Sequence, residues 1–287
     1  MAKVDYKIRQ ATRKELDLAV KWATKEGWNP GLHDADVFWQ TDPKGFMVLE
    51  KDGKMIGSVS GISYNGKFGF GGFFIIKPEY RNQKLGTKLA KYFLKTLMSR
   101  LDKGAAIGID GVFNMQPTYS KWGFKFSHRN LRMESVAKKA KYDPKPIQKI
   151  APQDLKLLNQ LDKKFFGFDR EKFLKGWLFM KDSHALKYVT GSRIKGYGVI
   201  RKCHKGFKIG PLFAPNYHVA HELFKALSSF AIGKKIYLDV PEINKEALKL
   251  ARAYKMKECF GCARMYLGPA PKLPYNQIFG VTTFELG

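Results

Sequence analysis

Phe73-Phe74-Ile75-Ile76-Lys77-Pro78-Glu79-Tyr80-Arg81-Asn82-Gln83-Lys84-Leu85-Gly86-Thr87-Lys88-Leu89 is the stretch on which the fold reading turns. Its apolar opening reads as the end of a buried strand, and the polar run after Pro78 as a tight turn. Leu85, Leu89, Phe93, Leu97 and Leu101 then fall on one helical face, with Lys88, Lys91 and Lys95 turned elsewhere. A turn that opens a helix presents free backbone N–H groups and the positive end of the helix dipole. Such a start is an anion site suited to a pyrophosphate. Gly86 lets a ligand approach the backbone closely, and Arg81 and Lys84 add positive charge. An ordinary strand–turn–helix junction shares part of this pattern, so its neighbours carry the decision.

Towards the N-terminus, a strand at 6–10 precedes a helix from about Thr12. Thr12 suits an N-cap, and Leu16, Ala19, Val20 and Ala23 form an apolar stripe. Two hairpins follow. The run 46–50 turns through Asp52-Gly53 into 55–64, which turns through Asn65-Gly66 into 68–76. Asp-Gly and Asn-Gly between apolar runs are strong hairpin signals. Towards the C-terminus, Ile107-Gly108-Ile109-Asp110 reads as a strand, followed by Tyr119-Ser120-Lys121-Trp122-Gly123-Phe124.

The same order of elements then recurs. A strand at 146–149 leads to a helix from about Pro152 with Leu155, Leu158 and Leu161 on one face. Strands at 185–190 and 194–201 pair around Gly191-Ser192, and His204-Lys205-Gly206 turns into 207–213. A strand, a helix and a final hairpin are expected to close each half. The endings run in parallel: 121–125 with Arg132-Met133, against 253–257 with Arg264-Met265. Two α/β modules of one architecture are therefore expected, joined near residues 140–145.

The stretches around Gly86 and Tyr119 together resemble the GNAT acetyltransferase superfamily. The first is similar to its acyl-CoA-binding motif, Arg/Gln-x-x-Gly-x-Gly/Ala, at Arg81, Lys84 and Gly86. The second is similar to its Asp-Ala-…-Tyr-x-x-x-Gly-Phe ending, at Asp110, Tyr119, Gly123 and Phe124. The likeness covers residues 1–135 in order and spacing, and the second half in outline. One departure stands out: Lys84 occupies the place of the motif's first glycine. A side chain there either crowds the pyrophosphate or pairs with it, since lysine reaches a phosphate as a point charge.

The resemblance implies an α/β (α+β) fold of two such modules, each a mixed, mostly antiparallel sheet flanked by helices. Residues 1–140 would be the acetyl-CoA-binding catalytic domain, and 141–287 a degenerate copy with a C-terminal tail. Phe74, Ile75 and Ile76 would offer backbone groups to the pantetheine arm. Arg81, Asn82, Gln83, Lys84, Leu85, Gly86 and Thr87 would hold the pyrophosphate, and Asn114 would also contact CoA. Tyr119 would protonate the departing thiolate; an unperturbed phenol, with a pKa of about 10, is protonated at neutral pH. The activity implied is transfer of an acetyl group from acetyl-CoA to a primary amine. The alternative is a non-catalytic acyl-CoA sensor or scaffold.

No general base is evident. The loop Gly27-Trp28-Asn29-Pro30-Gly31-Leu32-His33-Asp34-Ala35-Asp36 lies where the family builds its acceptor wall, so Trp28, His33, Asp34 and Asp36, with Asp110, are the candidate acceptor residues. The second module has Ala251 where the first has Tyr119, and 214–221 lacks the glycine pattern. A second active site is not expected there. Leu273 to Gly287 is too apolar for a loose tail and should pack against one of the modules.

Composition sets the remaining bounds. The 287 residues carry a net charge of +27, which attracts anions. The lysines are scattered, and no RNA-binding aromatic motif, zinc finger or helix-turn-helix accompanies them. Nucleic acid is thus a secondary expectation, resting on charge alone. Cys259-Phe260-Gly261-Cys262 and Cys203-His204 make a poor zinc set, and no metal is expected. Three cysteines, no signal peptide and no membrane-length apolar run point to a cytoplasmic setting without membrane association.

Overall fold

The computed structural model describes residues 6–287. The first module opens with β1 (Tyr6–Gln10), α1 (Arg13–Lys25) and α2 (Asp34–Thr41). Thr12 caps α1 in a reciprocal capping box with Glu15, and Leu16, Ala19, Val20 and Ala23 are buried as their spacing requires. Strands β2 (Phe46–Lys51), β3 (Lys54–Tyr64) and β4 (Phe68–Ile76) form an antiparallel meander. Both turns place two successive residues at positive φ, Asp52-Gly53 and Asn65-Gly66, as two-residue hairpin turns demand. Then come α3 (Leu85–Met98), β5 (Ala106–Val112), α4 (Gln116–Lys121) and β6 (Lys125–Val136).

The second module repeats the order. It runs β7 (Ile147–Lys149), α5 (Leu155–Phe166), α6 (Glu171–Leu178), β8 (Ser183–Thr190), β9 (Arg193–Lys202) and β10 (Phe207–Phe213). It closes with α7 (Tyr217–Ser228), β11 (Lys235–Pro241), α8 (Lys245–Ala253) and β12 (Lys257–Leu267), and the tail adds β13 (Ile278–Gly280).

The two modules share one sheet in the order β1-β2-β3-β4-β5-β12-β6-β11-β10-β9-β8-β7. The expected closing hairpins are replaced by single strands, and those strands are exchanged. β12 pairs with β5, aligning Arg264 with Asp110, whereas β6 pairs with β11, aligning Arg132 with Asp239. β6 and β12 then pair with each other at the centre. No glycine or proline breaks the run 125–136, so it continues straight where a hairpin would have needed a turn. A cut at 140/141 therefore leaves a strand of the first module's sheet in the second half of the chain.

Buried ion pairs stitch this seam. Arg132 grips Asp239 through two bonds of 2.7 Å, and Arg264 grips Asp110 at 2.8 and 2.6 Å. Arg170, beneath the tail, holds Asp162 at 2.7 and 2.8 Å, and also donates to Thr282 Oγ1 and the Gly287 carbonyl. The tail packs as its composition requires. Strand β13 adds to β10, and residues 281–287 run on, fully buried, towards β4.

Candidate active site

The site begins where β4 and β5 part. They pair in parallel only from Phe68–Ala106 to Gly71–Ile109. Beyond Gly71, Phe73 takes a left-handed φ of 47° and the β3–β4 register slips, the signature of a bulge. The β5-facing backbone groups of residues 72–76 are thus released from the ladder. A cavity of about 390 Å³ fills the gap. Core side chains on the two faces of the sheet form separate clusters. Phe93, Ile76 and Tyr119 lie on the α3 face, and Phe73, Ile75 and Phe284 on the opposite face. The cavity is lined from both, so it passes through the sheet.

Its outer end is the start of α3. Lys84 is the N-cap and sits in the left-handed region at φ 59°, as Asn82 does at φ 62°. That conformation is the one a glycine adopts freely. The loop therefore keeps a glycine-compatible path although the sequence supplies a lysine. Lys84 makes no side-chain cap and the first turn has no acidic residue, so the first amides of α3 are left for an anion. Arg81 is anchored beside them through Nε to the Ile76 carbonyl at 2.8 Å and to Glu26 at 2.5 Å. Because a non-glycine residue in this region is strained by about 1–2 kcal/mol, Lys84→Gly is expected to raise stability by roughly 0.5–1 kcal/mol after the flexibility of glycine is allowed for. A denaturant midpoint that falls would mean that the lysine side chain holds the loop.

Tyr119, on α4, closes the inner wall. Its ring lies flat on Gly111 of β5, where a Cβ would come within 2.2 Å of it, and meets Trp122 edge-on at 5.6 Å. Among the described residues its hydroxyl has no hydrogen-bond partner. Burial, and then the nearby Cys262, push its pKa well above the ordinary tyrosine value. Both effects keep the phenol protonated over the whole neutral range.

The second module lacks such an opening. β10 and β11 are parallel and pair from Phe207–Ile236 to Ile209–Leu238, then part as β4 and β5 do. Here β13 fills the gap, pairing with β10, while Val281 donates to the Asp239 carbonyl. The start of α7 is also closed, because Asn216 caps the Val219 amide with its own side chain. Ala251 is buried in the apolar core.

Comparison with known proteins gives a consistent picture. The sequence profile of the acetyltransferase (GNAT) family matches residues 12–124, and an acetyltransferase (GNAT) domain profile matches residues 158–280. The chain belongs to the GNAT acyltransferase superfamily. It is 25% identical over 280 residues to holothin acyltransferase of a Pseudoalteromonas species, covering 97% of this chain and 94% of that protein. A putative acetyltransferase of Pyrococcus horikoshii shares the fold at a TM-score of 0.83 and 22% identity, over 98% of this chain and 96% of that one. A tandem GNAT protein of clavulanic acid biosynthesis shares it at a TM-score of 0.64 and 10% identity, over 93% and 100%.

Within this GNAT frame the sequence candidates separate. Phe74, Ile75, Ile76, Arg81, Asn82, Gly86, Asn114 and Tyr119 all line the cavity, together with Trp28 and Asp110. Gln83, Lys84 and Thr87 are exposed at the helix start, and Leu85 points into the core, so it offers only its amide. Asp110 borders the cavity with its carboxylate engaged by Arg264 and Asn130.

The structure divides the acceptor loop, with Trp28 at the cavity and His33, Asp34 and Asp36 away from it. Asp34 is fully buried, accepting from the Gly31 amide at 2.7 Å and from Arg201 Nε at 2.9 Å. It joins the modules and does not face the cavity. His33 and Asp36 lie outside the cavity too: His33 meets Asp182 at 2.8 Å, and Asp36 meets Arg13 at 2.6 Å on the surface. Sequence reasoning missed Phe260 and Cys262 of β12, and Phe284 and Glu285 of the tail, which form the inner wall. The paired Gly71-Gly72 within a strand was the available signal, because such glycines mark a close backbone approach. A Cβ on Gly72 would lie 2.2 Å from the Glu285 carbonyl oxygen. Cys203 and Cys262 are buried and Cys259 is exposed, and among the described residues no cluster of His, Cys, Asp or Glu is placed to hold a metal ion.

Proposed function

We propose that this GNAT protein is an N-acetyltransferase that carries an acetyl group from acetyl-CoA to a primary amine by direct attack. The observation that carries the reading is the uncapped start of α3, set in a left-handed loop at the mouth of a through-sheet cavity that Tyr119 closes. The pyrophosphate would bind the first amides of α3, flanked by Arg81 and Lys84. The pantetheine arm would then lie along the released backbone of residues 74–76, with Asn114 beside it, bringing the thioester to Tyr119. The amine nitrogen attacks the thioester carbon, the C–S bond breaks, and Tyr119 protonates the sulfur. The charge of +27 would draw in the CoA phosphates. Among the described residues no helix is long and apolar enough to cross a membrane, and the three free cysteines accord with a reducing, cytoplasmic setting.

Gly86 gives the direct test. A Cβ there would meet nothing closer than the Phe74 ring at 3.7 Å, so alanine fits, while a longer side chain must project into the cavity. Gly86→Ala is expected to bind acetyl-CoA normally, and Gly86→Leu to weaken it by at least ~100-fold, since lost phosphate contacts and steric intrusion together exceed the ~2.7 kcal/mol this represents. Calorimetry of both folded variants decides it. Equal affinity in Gly86→Leu would remove this loop from the site. Free-thiol release from acetyl-CoA across a panel of amines then identifies the acceptor.

A further inference from the structure

The through-sheet cavity has a carboxylate at its inner end. Glu285 is 3% exposed and lines the cavity, on a tail whose neighbouring Phe284 packs on the face opposite Tyr119. One oxygen, Oε2, accepts from Thr283 Oγ1; the other, Oε1, is buried without a partner among the described residues. A buried, unpartnered carboxylate oxygen is unfavourable unless something else satisfies it. The other carboxylates lining the cavity are engaged: Asp110 by Arg264, and Glu26 by Arg81. The seat of the tail is shaped for its place, since Gly72 is the position where any side chain would strike the Glu285 carbonyl.

We propose that Glu285 receives the acceptor's ammonium group and takes its proton before attack. The proposal rests on the acetyl-transfer reading above and names the base which that reading leaves open. The acceptor class follows from the surroundings. Phe73, Phe260, Phe284 and Trp28 wall this end of the cavity, so the group attached to the amine is apolar and of aromatic size. The proton balance closes. An alkylammonium loses two protons in becoming an amide. One passes to Glu285, leaving the neutral amine to attack the thioester carbon. The other replaces the proton that Tyr119 gives to the departing sulfur. The tail thereby does two things. β13 blocks the opening of the second module, and residues beyond it complete the site of the first.

Glu285 also has a charge role to be separated from this one. It is close enough to Arg132, Arg201, Lys208 and Cys262 to favour the protonated form of each. Asp34 and Asp239 pair with the two arginines, and among the described residues Lys208 reaches only the Trp28 carbonyl, at 3.4 Å. A residue that only balanced this cluster would affect stability without regard to the acceptor.

The test compares two acceptors of one shape. 2-Phenylethylamine is an ammonium ion at pH 7.5, and its 2,2-difluoro analogue is far less basic and largely neutral. Thiol release from acetyl-CoA is measured for wild type and Glu285→Gln, with acetyl-CoA calorimetry and melting of both. The expected loss of kcat/KM in Glu285→Gln is about 10²- to 10³-fold for the parent amine and under about tenfold for the difluoro analogue, in the range of general-base contributions. Acetyl-CoA affinity stays as in wild type. An equal loss for both amines with a lower melting temperature, or no loss for either, would overturn the proposal in favour of charge balance. A wild type that binds acetyl-CoA and acetylates neither amine would overturn the acceptor class. Absence of acetyl-CoA binding would instead defeat the acetyl-transfer reading.

Discussion

Tyr119→Phe is expected to lower kcat by roughly 10²- to 10⁴-fold, the usual contribution of a positioned acid, with fold and acetyl-CoA affinity unchanged. The ring is what packs. It covers Gly111 and meets Trp122, and phenylalanine keeps both contacts. Among the described residues the hydroxyl has no hydrogen bond to lose, so its removal orphans none of them. The pH dependence adds a sign. An acid works while protonated, and burial moves this phenol above its ordinary range. The wild-type rate should therefore show no decline from Tyr119 ionisation up to about pH 10, the unperturbed tyrosine value. Steady-state kinetics of the variant and a wild-type pH profile check both points. Wild-type turnover in Tyr119→Phe would return the residue to packing.

Asp34→Ala should be the most destabilising single change in the acceptor loop. Arg201 is itself fully buried, stacked 4.3 Å from the Trp177 ring centre, and among the described residues its NH1 already lacks a partner. Removing Asp34 leaves a bare buried cation, a change that typically destabilises by about 3–5 kcal/mol. Asp36→Ala, at an exposed pair with Arg13, should stay within about 0.5 kcal/mol. Chemical denaturation of the two variants measures the contrast. Replacing both partners, Asp34→Ala with Arg201→Met, should recover part of the loss, because no lone charge remains. Similar midpoints for Asp34→Ala and wild type would remove this pair from the seam between the modules.

The same residue shows where the sequence stopped being informative. Asp34 sits in a glycine- and proline-rich loop and reads as an acceptor-binding carboxylate, because its partner lies 167 positions away. Local chemistry was legible where it is local. Asp-Gly and Asn-Gly fixed the hairpins, Thr12 and Glu15 marked the first helix start, and Gly86, Tyr119 and Phe124 marked part of the cavity lining. The strand exchange was not legible, since β6 and β12 carry matching patterns and either could have closed either module. The left-handed Lys84 shows the reverse case: the residue type changed while the backbone path did not. Glu285 escaped because a tail that packs by its apolar residues gives no hint of where its one carboxylate lands.

The central claim is that one opening in this double fold, and only the first, is an acetyl-CoA site. Calorimetric titration of the intact chain with acetyl-CoA tests it most directly. One site per chain is expected, lost in Gly86→Leu and retained in Tyr119→Phe. Two equal sites per chain, or undiminished binding in Gly86→Leu, would contradict it.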